Sequence, residues 1–147
     1  MVAALFFSGN LVPIPPPLAH AIADMSQAYP LFGGDDGAKK TAALLIVFAW
    51  KESGYRNNIR AQEASGAYSY SAYMIGLCEP YTCQELMQDE YKSTYTALRW
   101  MARSMKYCNE PDYFLAIYAS GSCNNAAGRK ISYERLTWMR KLVQLIK

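Results

Sequence analysis

The stretch Ala43-Leu44-Leu45-Ile46-Val47-Phe48-Ala49-Trp50-Lys51-Glu52-Ser53-Gly54-Tyr55 decides how this chain folds. From Ala43 to Trp50 it is apolar on every face that a helix would present. Such a helix belongs at the centre of a bundle, because no side of it gains from facing water. The run is too short to cross a bilayer, which takes about 20 residues. It ends in a carboxylate and then meets Gly54, the residue type that closes helices most readily. A helix from about Ala38 to Ser53 is therefore expected. A loop of Gly33, Gly34, Asp35, Asp36 and Gly37 should precede it.

Helical periodicity continues on either side, and no strand-like alternation persists. Pro15–Pro17 opens an expected helix from Leu18 to about Gln27, stopped by Pro30. Gly54 to Cys83 is rich in Gly, Ser, Tyr and Asn and reads as an irregular or short β-hairpin insert. A helix is expected near Thr82–Asp89. Another should run from Ser93 to Tyr107, with Ala97, Leu98, Met101 and Met105 on one face. Pro111 and Asp112 open a short helix through Tyr118, ended near Gly121. Ser132 is placed to cap a last helix carrying Leu136, Met139, Val143 and Ile146 at bundle spacing. The fold class is mainly α: a compact helical domain around a buried central helix, with residues 1–14 as an N-terminal extension.

Composition narrows the function classes. The chain has 147 residues, 52% hydrophobic and 18% charged, which suits one globular domain. A net charge of +3 is too small to imply nucleic acid, but it suits weak attraction to an anionic wall. Arg129, Lys130, Arg135, Arg140, Lys141 and Lys147 bias the C-terminus positive and read as a solvated face. Val2–Phe7 is apolar but short, with no Lys or Arg before it, so it does not read as a signal peptide. His20 is the only histidine and no CxxC pair occurs, so neither a metal site nor a cofactor is expected. His20 itself is expected at the surface, and the seven methionines as core filler. Cys78, Cys83, Cys108 and Cys123 allow three pairings. A Cys108–Cys123 bridge would tie the loops flanking a short helix, and Cys78–Cys83 would close a small local loop. Four reduced thiols remain the alternative.

Glu52 carries the chemistry. It falls in the last turn of its helix, where the dipole is negative and opposes ionisation. Phe48 and Trp50 would desolvate it, with the same effect. A carboxylic acid held protonated near neutrality is what a general acid for glycosidic cleavage must be. The plainer alternative is a solvated carboxylate beside Lys51.

Taken together, these residues resemble the soluble lytic transglycosylase and goose-type lysozyme superfamily. In that family an apolar helix ends in Glu-Ser, followed by a small residue and an aromatic, as in Glu52-Ser53-Gly54-Tyr55. Ser69-Tyr70-Ser71-Ala72-Tyr73-Met74-Ile75 is similar to the second motif, and Leu115-Ala116-Ile117-Tyr118-Ala119-Ser120-Gly121 to the third. Tyr133 through Leu142 resembles the closing helix. The likeness spans roughly Pro15 to Val143. It departs at Ser71, where the family has Gly, at Met74, where it has Gln, and at Ala119, where it has Asn. The lost Gln and Asn are polar contacts to sugar in the family.

The resemblance implies a lysozyme-like fold and a peptidoglycan glycan strand as substrate. Glu52 would be the catalytic acid and base, and Ser53, Tyr73, Met74 and Tyr118 would contact or orient the sugar. Cleavage between N-acetylmuramic acid and N-acetylglucosamine would give 1,6-anhydro products. A hydrolase would need a water-activating base, and Glu63 is the nearest candidate in sequence. A non-catalytic wall-binding or particle subunit on the same scaffold is the other alternative. Tyr55, Tyr68, Tyr70, Tyr73 and Tyr81 make the insert suited to stacking on sugar rings, or to packing on itself. Compact size and divergence suggest action outside the cytoplasm, carried on a phage particle or a secretion complex.

Overall fold

The computed structural model describes residues 4–7, 10–55, 73, 75 and 77–145. A small antiparallel hairpin opens the chain. Strand β1 (Ala4–Phe7) pairs with β2 (Asn10–Pro13), Leu5 lying opposite Val12 and Phe6 opposite Leu11. Part of the expected N-terminal extension is therefore ordered as strand. Helix α1 (Pro16–Ala28) follows, with proline in its first turn. Proline's missing N–H costs nothing there, because first-turn amides have no helical acceptor.

The central helix α2 (Gly37–Ser53) closes at Gly54, which takes the left-handed conformation with φ 64°. The Gly54 amide bonds to the Trp50 carbonyl at 2.8 Å and the Tyr55 amide to the Ala49 carbonyl at 3.2 Å. These bonds satisfy carbonyls that the helix end leaves open. Leu44 to Ala49 are all buried. Each large aliphatic or aromatic side chain among them contributes about 1.5–3 kcal/mol relative to exposure. Helix α2 packs against α1 on one side and against the last helix on another. The expected insert falls mostly on residues 56–72, 74 and 76, outside the described residues.

Helix α3 (Cys83–Gln88) starts with a reciprocal cap. Thr82 Oγ1 accepts from the Glu85 amide and Glu85 accepts from the Thr82 amide. Helix α4 (Glu90–Tyr107) begins three residues earlier than the sequence suggested, because the Asp89 carboxylate accepts from the Tyr91 and Lys92 amides. The single helix expected after Pro111 is broken. A 3-10 turn, Pro111–Tyr113, is separated from α5 (Ala116–Ser120), which ends at Gly121 with φ 80°.

The last helix, α6 (Ala126–Leu145), corrects one expectation. It starts at Asn125, whose side chain accepts from the Gly128 amide at 3.0 Å, not at Ser132. Ser132 lies inside the helix and is buried. Its hydroxyl accepts from the Leu115 amide and donates to the Asp112 carbonyl, pinning the broken segment to α6. Gly128 lets α5 and α6 meet, since a Cβ there would collide with the Ser120 side chain and the Ala116 carbonyl.

Both local cysteine pairs are bonded: Cys78–Cys83, and Cys108–Cys123 around α5 and the turn before it. The reduced-thiol alternative is set aside. His20 is exposed, as expected.

Candidate active site

Glu52 sits in the last turn of α2, its side chain 27% exposed. It is thus neither sealed in the core nor freely solvated. Burial raises its pKa above the ordinary carboxylate value, and Arg135 opposes the rise by charge and by hydrogen bonding. Arg135 projects from α6 and its guanidinium lies 3.5 Å from Glu52 Oε1. The same guanidinium reaches Glu134 at 3.0 Å and stands 5.6 Å from the centre of the Phe48 ring. Its Nε is buried with no hydrogen-bond partner among the described residues. Glu134 also pairs with Lys51 at 3.6 Å. Two carboxylates and two cations therefore alternate across the α2–α6 contact.

Arg135 does not belong to the solvated basic face expected of the C-terminus: it is buried. Its signal was its register: Arg135 aligns with Met139 and Leu142 on the buried stripe of α6. A lone arginine on an apolar stripe needs acidic partners, and Glu134 and Glu52 supply them.

An aromatic layer backs the carboxyl. Tyr118, near the end of α5, stacks edge-on against Phe48 with ring centres 5.1 Å apart. Its hydroxyl donates to the Tyr73 carbonyl at 3.2 Å. Burial pushes the Tyr118 hydroxyl well up, and the charges of Glu52 and Tyr73 add to this. The Tyr73 ring is fully buried, its hydroxyl sharing a 2.9 Å bond with Thr94 Oγ1. Tyr55 holds a left-handed φ of 69°, unusual for a bulky residue, and its buried hydroxyl has no hydrogen-bond partner among the described residues. Its ring lies 5.4 Å from that of Trp50.

The same layer holds a carboxyl that the sequence did not single out. Glu90 Oε2, at the start of α4, is buried with no hydrogen-bond partner among the described residues. Burial first, then the neighbouring Asp89 charge, pushes Glu90 up to about 7. Its charge is felt by Tyr73.

The expected site residues thus separate. Glu52 and Tyr118 come together, within electrostatic reach of one another. Tyr73 joins them through its backbone carbonyl, with its ring in the core. Ser53 is buried and its hydroxyl donates back to the Ala49 carbonyl at 3.1 Å. Met74 and Glu63 lie outside the described residues, as do Tyr68 and Tyr70. Among the described residues no group of three or more His, Cys, Asp or Glu is arranged to hold a metal ion. No helix among them is long and apolar enough to cross a membrane.

No protein-family model matches the chain, and neither does any curated protein or any solved structure.

Proposed function

We propose that the protein cleaves peptidoglycan glycan strands as a lytic transglycosylase, with Glu52 as its single acid and base. One observation carries this reading: a partly exposed carboxyl at the end of a buried helix, whose ionisation is opposed by burial. Such a group reaches substrate while holding its proton more tightly than an ordinary carboxyl does. Glu52 gives its proton to the oxygen between N-acetylmuramic acid and N-acetylglucosamine as the C1–O bond breaks. The substrate's own acetamido group stabilises the cation left at C1. The Glu52 carboxylate then takes the proton of the muramyl 6-hydroxyl as O6 bonds to C1, which closes the 1,6-anhydro ring and restores the acid.

Tyr118 is a positioning residue in this scheme. It stacks against Phe48 and ties the Tyr73 segment to the floor of the site. Two disulfides suit action in an oxidising setting outside the cytoplasm. A phage particle or a secretion complex would then carry the protein to the wall.

A specific observation favours a second reading. Arg135 stabilises the ionised form of Glu52 and so works against a general acid. A non-catalytic subunit that only binds the wall would tolerate that pairing. A muropeptide digest separates the readings. Purified sacculi are incubated with the wild type and with Glu52→Gln, and the products are weighed by mass spectrometry. Anhydro ends from the wild type alone are expected. Reducing ends would make the protein a hydrolase, and no products from a folded wild type would leave the binding subunit.

A further inference from the structure

A row of tyrosines crosses the face formed by the end of α1, the Cys78–Cys83 loop and the first turns of α4. Two adjoining clefts, about 290 and 370 Å³, share Tyr29 and Tyr95 as a common wall. Tyr81 and Tyr91 line one cleft and exposed Arg99 lines the other. Tyr29 is 51% exposed and Tyr91 40%. Exposed rings gathered along adjoining clefts give a ligand aromatic surface to cover.

The rings are held apart, not stacked flat. Tyr29 meets Tyr95 edge-to-face at 5.4 Å, and Tyr81 meets Tyr95 edge-to-face at 6.2 Å. The exposed parts of the Tyr29 and Tyr91 rings leave surface open to the apolar CH faces of a pyranose. Every ring also ends in a hydroxyl, which suits a sugar better than it suits an apolar peptide.

The groove is fixed before any ligand arrives. The Tyr91 hydroxyl donates to Asp24 at 2.6 Å, joining α4 to α1. Tyr81 stands inside the Cys78–Cys83 loop, and that loop is anchored by Trp100 Nε1 donating to the Leu77 carbonyl at 2.9 Å. Lys92 lies over the Tyr81 ring and pairs with Glu85. A wall ordered in advance loses little entropy on binding.

The groove is also separate from the acid. The chain just beyond Tyr29 is tied to the first turns of α2 by the Leu31 amide bonding to Thr41. Thr41 precedes Glu52 by about 16 Å of helix.

We infer that this groove is a second, non-catalytic binding site for a β-1,4-linked N-acetylated glycan. Arg99 meets the carboxylates that such a strand carries in the wall. The choice of occupant rests on the reading of Glu52 given above. A polymeric substrate held at two separated points gains from effective concentration, which a single cleft cannot supply.

The test uses the whole chain carrying Glu52→Gln, with its tyrosine rings isotopically labelled, titrated with N-acetylglucosamine tetramer. Ring signals of Tyr29, Tyr81, Tyr91 and Tyr95 are expected to shift together. Tyr29→Ala and Tyr91→Ala, both at exposed positions, are expected to weaken binding to purified sacculi about fivefold or more, the equivalent of about 1 kcal/mol. Ring signals that stay still at saturating tetramer would overturn the inference, whether the groove is empty or takes a protein partner. Shifting rings on a protein whose wild type releases no muropeptides would uphold the groove and sink the enzyme reading instead.

Discussion

Replacing the proposed acid should stabilise the protein at neutral pH and leave it little changed in acid. Burial raises the pKa of Glu52 on folding, and Arg135 offsets only part of this. Such a group holds its proton more tightly in the native state than in the unfolded one. It supports the fold below its unfolded pKa of about 4.3, and that support is lost as pH climbs through the native value. Glutamine has no such proton. The stability of Glu52→Gln relative to wild type should therefore grow with pH, by about 1.4 kcal/mol for each unit that folding adds to the Glu52 pKa. Arg135 sets the opposing scale. At 3.5 Å, two unit charges in an effective dielectric of about 20 attract by about 5 kcal/mol. Glu52 is 27% exposed, and Arg135 divides its charge with Glu134. The net coupling should then be about 2 kcal/mol, between an exposed pair and the breaking of a buried one. The assay is urea unfolding of wild type, Glu52→Gln, Arg135→Met and the double variant, from about pH 4 to about pH 8. The coupling should appear near pH 8 and fade toward pH 4, because protonated Glu52 no longer attracts the guanidinium. A relative stability of Glu52→Gln that is flat, or that falls as pH rises, would show that folding does not raise this pKa. The argument for a general acid would fall with it.

Four further outcomes are expected. Glu90, raised to about 7 by burial and by Asp89, supports the fold below about pH 4.3 and loses that support through neutrality. Glu90→Gln should accordingly flatten the melting temperature profile between those limits, and an unchanged profile would place Glu90 in water. Replacing Cys108 and Cys123 by Ser should cost about 3 kcal/mol, and the shorter Cys78–Cys83 loop about 2 kcal/mol, in chemical denaturation. The reverse order would refute the loop-length argument. Gly128→Val should cost about 2–3 kcal/mol by calorimetry, since the added atoms strike Ser120 and the Ala116 carbonyl. Tyr118→Phe keeps the stack on Phe48 but removes the hydrogen bond to the Tyr73 carbonyl, so it should cost about 1 kcal/mol in stability and lower kcat on sacculi more than it changes KM.

Much of the fold could be read along the chain, because local chemistry sets helices and their ends. The all-apolar run before Trp50 forces a central helix, and Gly54 ends it where the left-handed turn requires a residue without a Cβ. Thr82 with Glu85, and proline before α1, are start signals that act within one turn. Ser132 has the side chain of a cap, but its hydroxyl is engaged by Leu115 and Asp112 from distant turns, and Asn125 caps instead.

The sequence by itself determined a mainly helical chain, a buried central helix and the place of Glu52 at its end. It did so because hydrophobic period and capping act over a few residues. Only the tertiary structure decided what surrounds that carboxyl. Arg135 reaches it from a helix far along the chain and shares its charge with Glu134, Tyr118 and the Tyr73 carbonyl close its floor, and Glu90 is carried into the same layer. A pKa depends on every charge and every lost water within a few ångströms. Those neighbours are set by how helices cross, which no local pattern records.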